Sequence, residues 1–163
     1  MTLKSKLIEF IVKRDIIPKK LKWKRNVDGV ARLYSGAYSL LDSDGKRKLA
    51  NMMYNWGIQD SDEVVKLLGI ERNLHGCAIA LITANHVFGM KSRIVKEDED
   101  GIIVHFTDCS WKDREDWNPN LCASIDRYDH GLIKGINENI KCIVTKRRSE
   151  GDAVCEAILQ KRK

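Results

Sequence analysis

The sequence predicts an α+β domain, with helices first and then an antiparallel sheet of about four strands arranged ββαββ. Three observations carry that prediction. Apolar residues recur at helical spacing between residues 27 and 89. The period then changes to two at 92–107 and again at 140–160, with a further helical stretch between them. Each two-period pair is joined by a short turn, Glu97-Asp98-Glu99-Asp100-Gly101 in the first and Ser149-Glu150-Gly151-Asp152 in the second. Hairpins on both sides of a helix imply an antiparallel sheet with helices packed on it.

The elements follow in order. Leu3, Leu7, Ile8, Ile11 and Val12 share one helical face, and Pro18 ends that segment. After a basic run at 19–25, Val30, Leu33, Tyr34, Ala37, Tyr38 and Leu41 form a second stripe. Ser43-Asp44-Gly45 reads as a turn, or as a weak point in one long helix. Leu49, Met52, Met53 and Trp56 continue the stripe to a stop at Gly57, and Ser61 caps a short helix that ends at Gly69. The strongest amphipathic pattern is Leu74, Cys77, Ala78, Leu81, Ile82, Asn85 and Phe88, ending at Gly89. Strands are expected at 92–96, 102–107, 140–147 and 153–160. Pro119 opens the helix between the hairpins, which runs to about Gly135 with Leu121, Ile125, Tyr128, Leu132 and Ile136 inward.

The 163 residues are most simply one domain, helical over about 3–89 and sheet-forming over about 92–160. A chain of this length buries enough surface to fold without disulfides or metal. The net charge is +6, but only Lys19-Lys20-Leu21-Lys22-Trp23-Lys24-Arg25 and the Lys161-Arg162-Lys163 tail concentrate it. Elsewhere base is interleaved with acid, so nucleic-acid binding is not expected. Glutamine occurs only at Gln59 and Gln160 while Ile, Lys and Glu abound, a bias that fits a thermophile. No apolar run reaches the ~18 residues of a membrane span, and no signal sequence is visible. A cytoplasmic protein with reduced thiols is the expectation. Five cysteines cannot all pair, and none lies in a CxxC.

The chemistry-bearing residues gather late in the chain. Cys109 ends a strand that enters a polar loop holding Trp111 and Trp117. Cys122 lies in the first turn of its helix, where free N–H groups and the macrodipole favour a thiolate. Asp126 follows at i+4 on the same face, placed to join a metal site or poise a nucleophile, or else to pair with Arg127 or His130 at the surface. Cys155 shares a strand face with Ala153 and Ala157, small neighbours that leave room beside the sulfur. Cys142 packs with Ile140 and Val144. Each of these thiols also suits a buried apolar position. Cysteine with histidine suggests zinc, although the spacing matches no standard short motif and His75, His86, His105 and His130 are scattered. No GxxxxGK, GxGxxG or GxSxG occurs, so nothing specifies a nucleotide, a flavin or a serine hydrolase.

Cys109 with Trp111, Cys122 with Asp126, Gly131 and Gly135, and the closing stretch from Thr145 to Glu156 (TKRRSEGDAVCE) resemble the 4-vinyl reductase domain family. They also resemble its relative, the L-2-amino-thiazoline-4-carboxylic acid hydrolase-like family. The resemblance covers about residues 92–160; residues 27–89 agree only in helical order. It implies an α+β domain similar in fold to a subunit of the eukaryotic vesicle-tethering TRAPP complex. It implies a small-molecule-binding domain that dimerises through helices, with zinc held by Cys109, Cys122 and Cys155. Many members carry a further cysteine where this chain has Arg148, and His75 is the residue assigned here to a fourth ligand position. Two alternatives follow. One is a hydrolase of small cyclic amidines, with Asp126 as acid/base and metal-bound water, or Cys122, as nucleophile. The other is a dimeric interaction scaffold. Tyr34, Tyr38 and Trp56 are expected in the core, or else along a pocket or a dimer face.

Overall fold

The computed structural model describes residues 19–162, so the helix expected at 3–14 and its stop at Pro18 lie outside the described residues. Four helices, α1 (Lys19–Leu40), α2 (Ser43–Leu68), α3 (Leu74–His86) and α4 (Pro119–Ile136), accompany four strands, β1 (Ser92–Glu97), β2 (Gly101–Phe106), β3 (Ile140–Lys146) and β4 (Cys155–Lys161). The first hairpin precedes α4 and the second follows it, as the two-period stretches predicted. The strands form one antiparallel sheet in the order β1-β2-β4-β3.

Alternation decides which sheet face the helices cover. Ile102, Val104 and Phe106 of β2 and Ala157 and Leu159 of β4 are buried, while their neighbours in sequence keep some exposure. Cys77, Ala78 and Leu81 of α3 and Leu132, Ile133 and Ile136 of α4 complete this core. The helix α3 is not the one-sided amphipath its spacing suggested. Gly76 and Ala80 are buried along with Cys77, Ala78 and Leu81 of the predicted stripe, while Leu74, Ile82 and Asn85 keep some exposure, so the enclosed face is broader than the stripe and centred differently.

The helical half differs from expectation in two places. The basic run belongs to α1 rather than preceding it. And α2 is one unbroken helix of 26 residues, in which Gly57 is no stop and Ser61 no cap. The break falls at Leu41-Asp42, where the Asp42 carboxylate accepts from the Gly45 N–H at 2.8 Å. Gly57 and Ser61 are small for a different reason. A Cβ on Gly57 would lie 2.1 Å from the Tyr128 carbonyl, one on Gly131 1.9 Å from the Tyr54 carbonyl, and one on Gly135 2.4 Å from Ser61 Oγ. Helices α2 and α4 therefore cross in backbone contact. A glycine that stops a helix and one that admits a neighbour look alike in sequence.

Helix α1 is anchored by a different route. The loop between β2 and α4 folds beneath it, and Trp111 packs with Val27 and Ala31 as a second, smaller core. The Trp111 indole N–H donates to the Val27 carbonyl at 3.3 Å. Ser35 Oγ donates to Asp116 at 2.6 Å, and Arg114 pairs with both Asp28 and Asp116. At the other end, Trp23 donates to the Val87 carbonyl at 2.7 Å. With α1 fastened to the loop and α2 fastened to α4, a space remains between them.

Candidate ligand cavity

That space is a cavity of about 720 Å³. Its walls are chiefly aliphatic and aromatic: Val30, Leu33 and Tyr34 of α1, Met52, Met53 and Trp56 of α2, Leu81 and Ala84 of α3, and Phe88 just past α3. Tyr34 and Trp56 thus border the cavity rather than fill the core, and Trp56 is 49% exposed. Tyr38 lies elsewhere, beneath the Lys46 ammonium at 5.0 Å from the ring centroid. The tryptophan loop supplies one end, where the Trp111 and Trp117 rings pack tilted with centroids 4.6 Å apart and Phe88 lies 5.2 Å from Trp111.

The polar residues of the cavity come from three places. Cys109 leads out of β2, Cys122, Asp126 and Asp129 project from α4, and Cys155 opens β4. Asn118 caps α4, accepting from the N–H groups of Asn120 and Leu121, which fixes the start of the helix and so the direction of Cys122. The structure brings Cys109, Cys122 and Cys155 to one region, near enough that Cys109 feels the charge of both other sulfurs and Cys155 that of Cys122. Each sulfur faces a hydrogen-bond donor: Cys122 the Trp117 indole at 3.0 Å, Cys155 the Arg148 N–H at 3.3 Å, Cys109 the Trp111 N–H at 3.4 Å. Burial raises all three thiols above their ordinary pKa. For Cys122 this overturns the expected thiolate, because desolvation outweighs the donors that favour it. Cys77 is pushed up to about 12, and Cys142 is likewise raised by burial.

His75 is not brought to this cluster. It sits exposed in the first turn of α3, with Nδ1 2.8 Å from Glu97 at the end of β1. Among the described residues, no group of three or more His, Cys, Asp and Glu side chains is arranged to hold a metal ion.

Asp126 borders the cavity beside Cys122, but its partner is neither Arg127 nor His130. Arg147, just past β3, donates to its Oδ2 from Nε at 3.2 Å and Nη2 at 2.9 Å. Arg127 instead lies over the Tyr54 ring. Burial still wins over Arg147 and raises the Asp126 carboxyl to about 6. One turn on, Asp129 accepts from Asn85 Nδ2 at 3.1 Å, and burial with the nearby Asp126 charge raises it to about 7. Sequence reading passed over Asp129, Arg147 and the polar role of Asn85. The i, i+3 spacing of Asp126 and Asp129 was the available signal, since it places both on the same helix face as the apolar stripe.

No family model matches the chain, and no curated protein matches it. Several solved structures share its fold, among them these two. One is the crystal structure of a trafficking protein particle complex subunit 3 from Naegleria fowleri covalently bound to palmitic acid. It superposes with a TM-score of 0.65 at 14% identity, covering 89% of this chain and 98% of that one. The other is the phenol-responsive sensory domain of the transcription activator PoxR with phenol, with a TM-score of 0.61 at 12% identity, covering 83% of this chain and 74% of that one. The likeness to a trafficking-complex subunit that the sequence resemblance implied is thus present as fold. At these identities the fold is what is shared.

Proposed function

We propose that this domain binds a small, mainly apolar molecule in the cavity between α1, α2, α3 and the sheet. The observation that carries the reading is the cavity itself. About 720 Å³ walled by aliphatic and aromatic side chains, with a few polar groups at one region, is the character of a small-molecule site. The two structures of like fold support it, one holding palmitic acid and the other phenol. The test is titration with a neutral apolar fluorophore, N-phenyl-1-naphthylamine. Saturable binding near one per chain is expected, weakened at least tenfold in Ala84→Phe, which projects a ring into the cavity. Non-saturable binding, or binding indifferent to that variant, would sink the reading.

Zinc at Cys109, Cys122 and Cys155 is a second proposal, supported by three soft donors around one region. The fit is incomplete, since the three sulfurs are not drawn together as a ligand set and His75 pairs elsewhere, and no chemical step is derived through a metal. Metal analysis of untagged protein decides it. About one zinc per chain, lost in Cys122→Ser, supports the site; metal-free protein with the same fold removes it. The hydrolytic alternative finds less support, because Asp126 is engaged by Arg147 and burial keeps the Cys122 thiol protonated. A homodimer is also proposed, from Leu33 and Leu40 of α1 and Leu67 of α2, which are 76, 88 and 79% exposed. Sedimentation of wild type against Leu40→Lys tests it. Among the described residues, no helix is long and apolar enough to cross a membrane.

A further inference from the structure

The chain carries a net charge of +6, yet the charged side chains bordering the cavity run the other way. Among the described residues they are Asp108, Asp126, Asp129 and Glu156 against the single cation Arg147. Two of the four carboxylates are neutralised where they stand. Arg147 holds Asp126 at 2.9 Å, and Glu156 lies between Lys146 at 3.1 Å and His105 at 2.7 Å. Among the described residues, Asp108 accepts only from the Cys109 N–H. Asp129, like Asp126, is strongly desolvated, and among the described residues it has no cation partner. Its Oδ2 accepts from Asn85, and among the described residues its Oδ1 has no hydrogen-bond partner. Enclosed by protein on every side but the cavity, it is an acceptor with a free lone pair and no counter-charge.

We propose that the cavity selects molecules in which an apolar body carries one protonated amine, with the ammonium set against Asp129. This rests on the binding reading above and names the ligand class for the same site. A buried carboxylate without a partner is costly, and a ligand that brings a cation removes that cost as it binds. A carboxylate ligand would meet Asp129 as a like charge. A neutral alcohol could donate one hydrogen bond and gain less. The groups facing Asp129 shape its titration: Asp126 on its own helix, Asn85 from α3, Cys142 from β3 and, through Asp126, Arg147. Asp126 and burial both oppose its ionisation, so the preference for an amine grows with pH across neutrality.

The test is a matched series of near-equal shape: 2-phenylethylamine, 2-phenylethanol and 3-phenylpropanoate, each titrated calorimetrically and by displacement of N-phenyl-1-naphthylamine. At pH 8 the amine is expected to bind at least tenfold more tightly than the alcohol, and the carboxylate most weakly. Asp129→Asn, which keeps shape and the contact with Asn85, should erase the amine preference while leaving the alcohol's affinity within about threefold. Wild-type protein gives a second readout that needs no variant. The ratio of amine to alcohol affinity should fall at least threefold between pH 8 and pH 5.5. An alcohol that equals or outbinds the amine at pH 8, or a preference that survives both Asp129→Asn and pH 5.5, would overturn the proposal while leaving the cavity as a binding site. Failure of the naphthylamine and all three compounds to bind would overturn the binding reading and this proposal with it.

Discussion

Arg147 reaches one oxygen of Asp126 with two of its nitrogens, Nε at 3.2 Å and Nη2 at 2.9 Å from Oδ2. The contact ties the end of β3 to α4 at the edge of the cavity. Neither partner is on the outer surface, their side chains being 19 and 24% exposed. Removing the cation leaves a desolvated carboxylate with no donor. Arg147→Gln is therefore expected to destabilise the fold by about 2 kcal/mol at pH 7.5, below the 3–5 of a fully buried pair because both groups keep some exposure. The loss should shrink at pH 5, where Asp126, raised to about 6, is protonated and needs no partner. Urea midpoints at the two pH values measure both effects; an equal loss at each would show that Arg147 acts through packing alone.

Asp126 and Asp129 also set the stability of the unmodified protein against pH. Their carboxyls sit at about 6 and about 7, above the ordinary carboxyl value, because burial disfavours charge. At low pH both are neutral, folded and unfolded alike, and they cost nothing. As pH rises through the unfolded value, the unfolded chain ionises first and gains stability; the deficit grows until the folded groups ionise in turn. Stability should therefore fall between about pH 4 and pH 7 and level off above. Asp116 and Glu156, held at about 2 by Arg114 with Ser35 and by Thr145, His105 and Lys146, act in the opposite sense and only in stronger acid. Asp129→Asn should flatten the upper slope and raise stability at pH 8 by about 1–2 kcal/mol, with almost no gain at pH 4. Denaturant titrations across pH 4–8 would show it, and a curve unchanged by the substitution would contradict the burial of Asp129.

The glycines of the helical half separate two roles. A methyl group at Gly131 would meet the Tyr54 carbonyl and one at Gly57 the Tyr128 carbonyl, both far inside contact distance. Backbone cannot yield as a side-chain tip can, so α2 and α4 would have to part. Gly57→Ala and Gly131→Ala should each cost at least about 2 kcal/mol. Gly36, exposed on α1, has nothing within 4 Å of its would-be Cβ. There alanine should stabilise by about 0.5–1 kcal/mol through helix propensity alone. Thermal unfolding of the three variants makes the comparison, and similar losses at all three sites would refute close crossing as the reason for Gly57 and Gly131.

These glycines also mark the limit of what could be read from the chain. The sheet and α4 were legible because period-two alternation and a proline-opened amphipath are local patterns, and the structure keeps them within two residues. Gly57 and Ser61 misled because a helix stop and a close helix crossing use the same residue types, and only the partner helix tells them apart. That Cys109, Cys122 and Cys155 share one region was anticipated through the family resemblance, since no spacing along the chain places three separate segments together. The place of His75 was not, because its face of α3 depends on which side β1 lies. Arg147 and Asp129 were missed for a related reason. Charge compensation across a cavity joins residues from different elements, and no spacing along the chain records it.

Trp111 has one more consequence. With Val27 and Ala31 it forms a core separate from the main one, and it is 2% exposed. Helix α1 is joined to the main body through this residue, the Arg114 and Asp116 contacts, Trp23 and the hydrogen bond between the Tyr34 and Ser124 hydroxyls. Units held by their own small core open independently of the rest. Trp111→Ala removes both the indole packing and the donor to the Val27 carbonyl, a loss of about 3 kcal/mol concentrated on α1. Hydrogen exchange should then quicken at least tenfold in residues 19–40 while Val104, Leu81 and Leu159 stay protected. Because α1 walls the cavity through Val30, Leu33 and Tyr34, the same variant should bind N-phenyl-1-naphthylamine at least tenfold more weakly without unfolding the sheet. Uniform quickening across α1 and β2 would instead show that the two cores unfold together, and that the loop under α1 is part of a single cooperative unit.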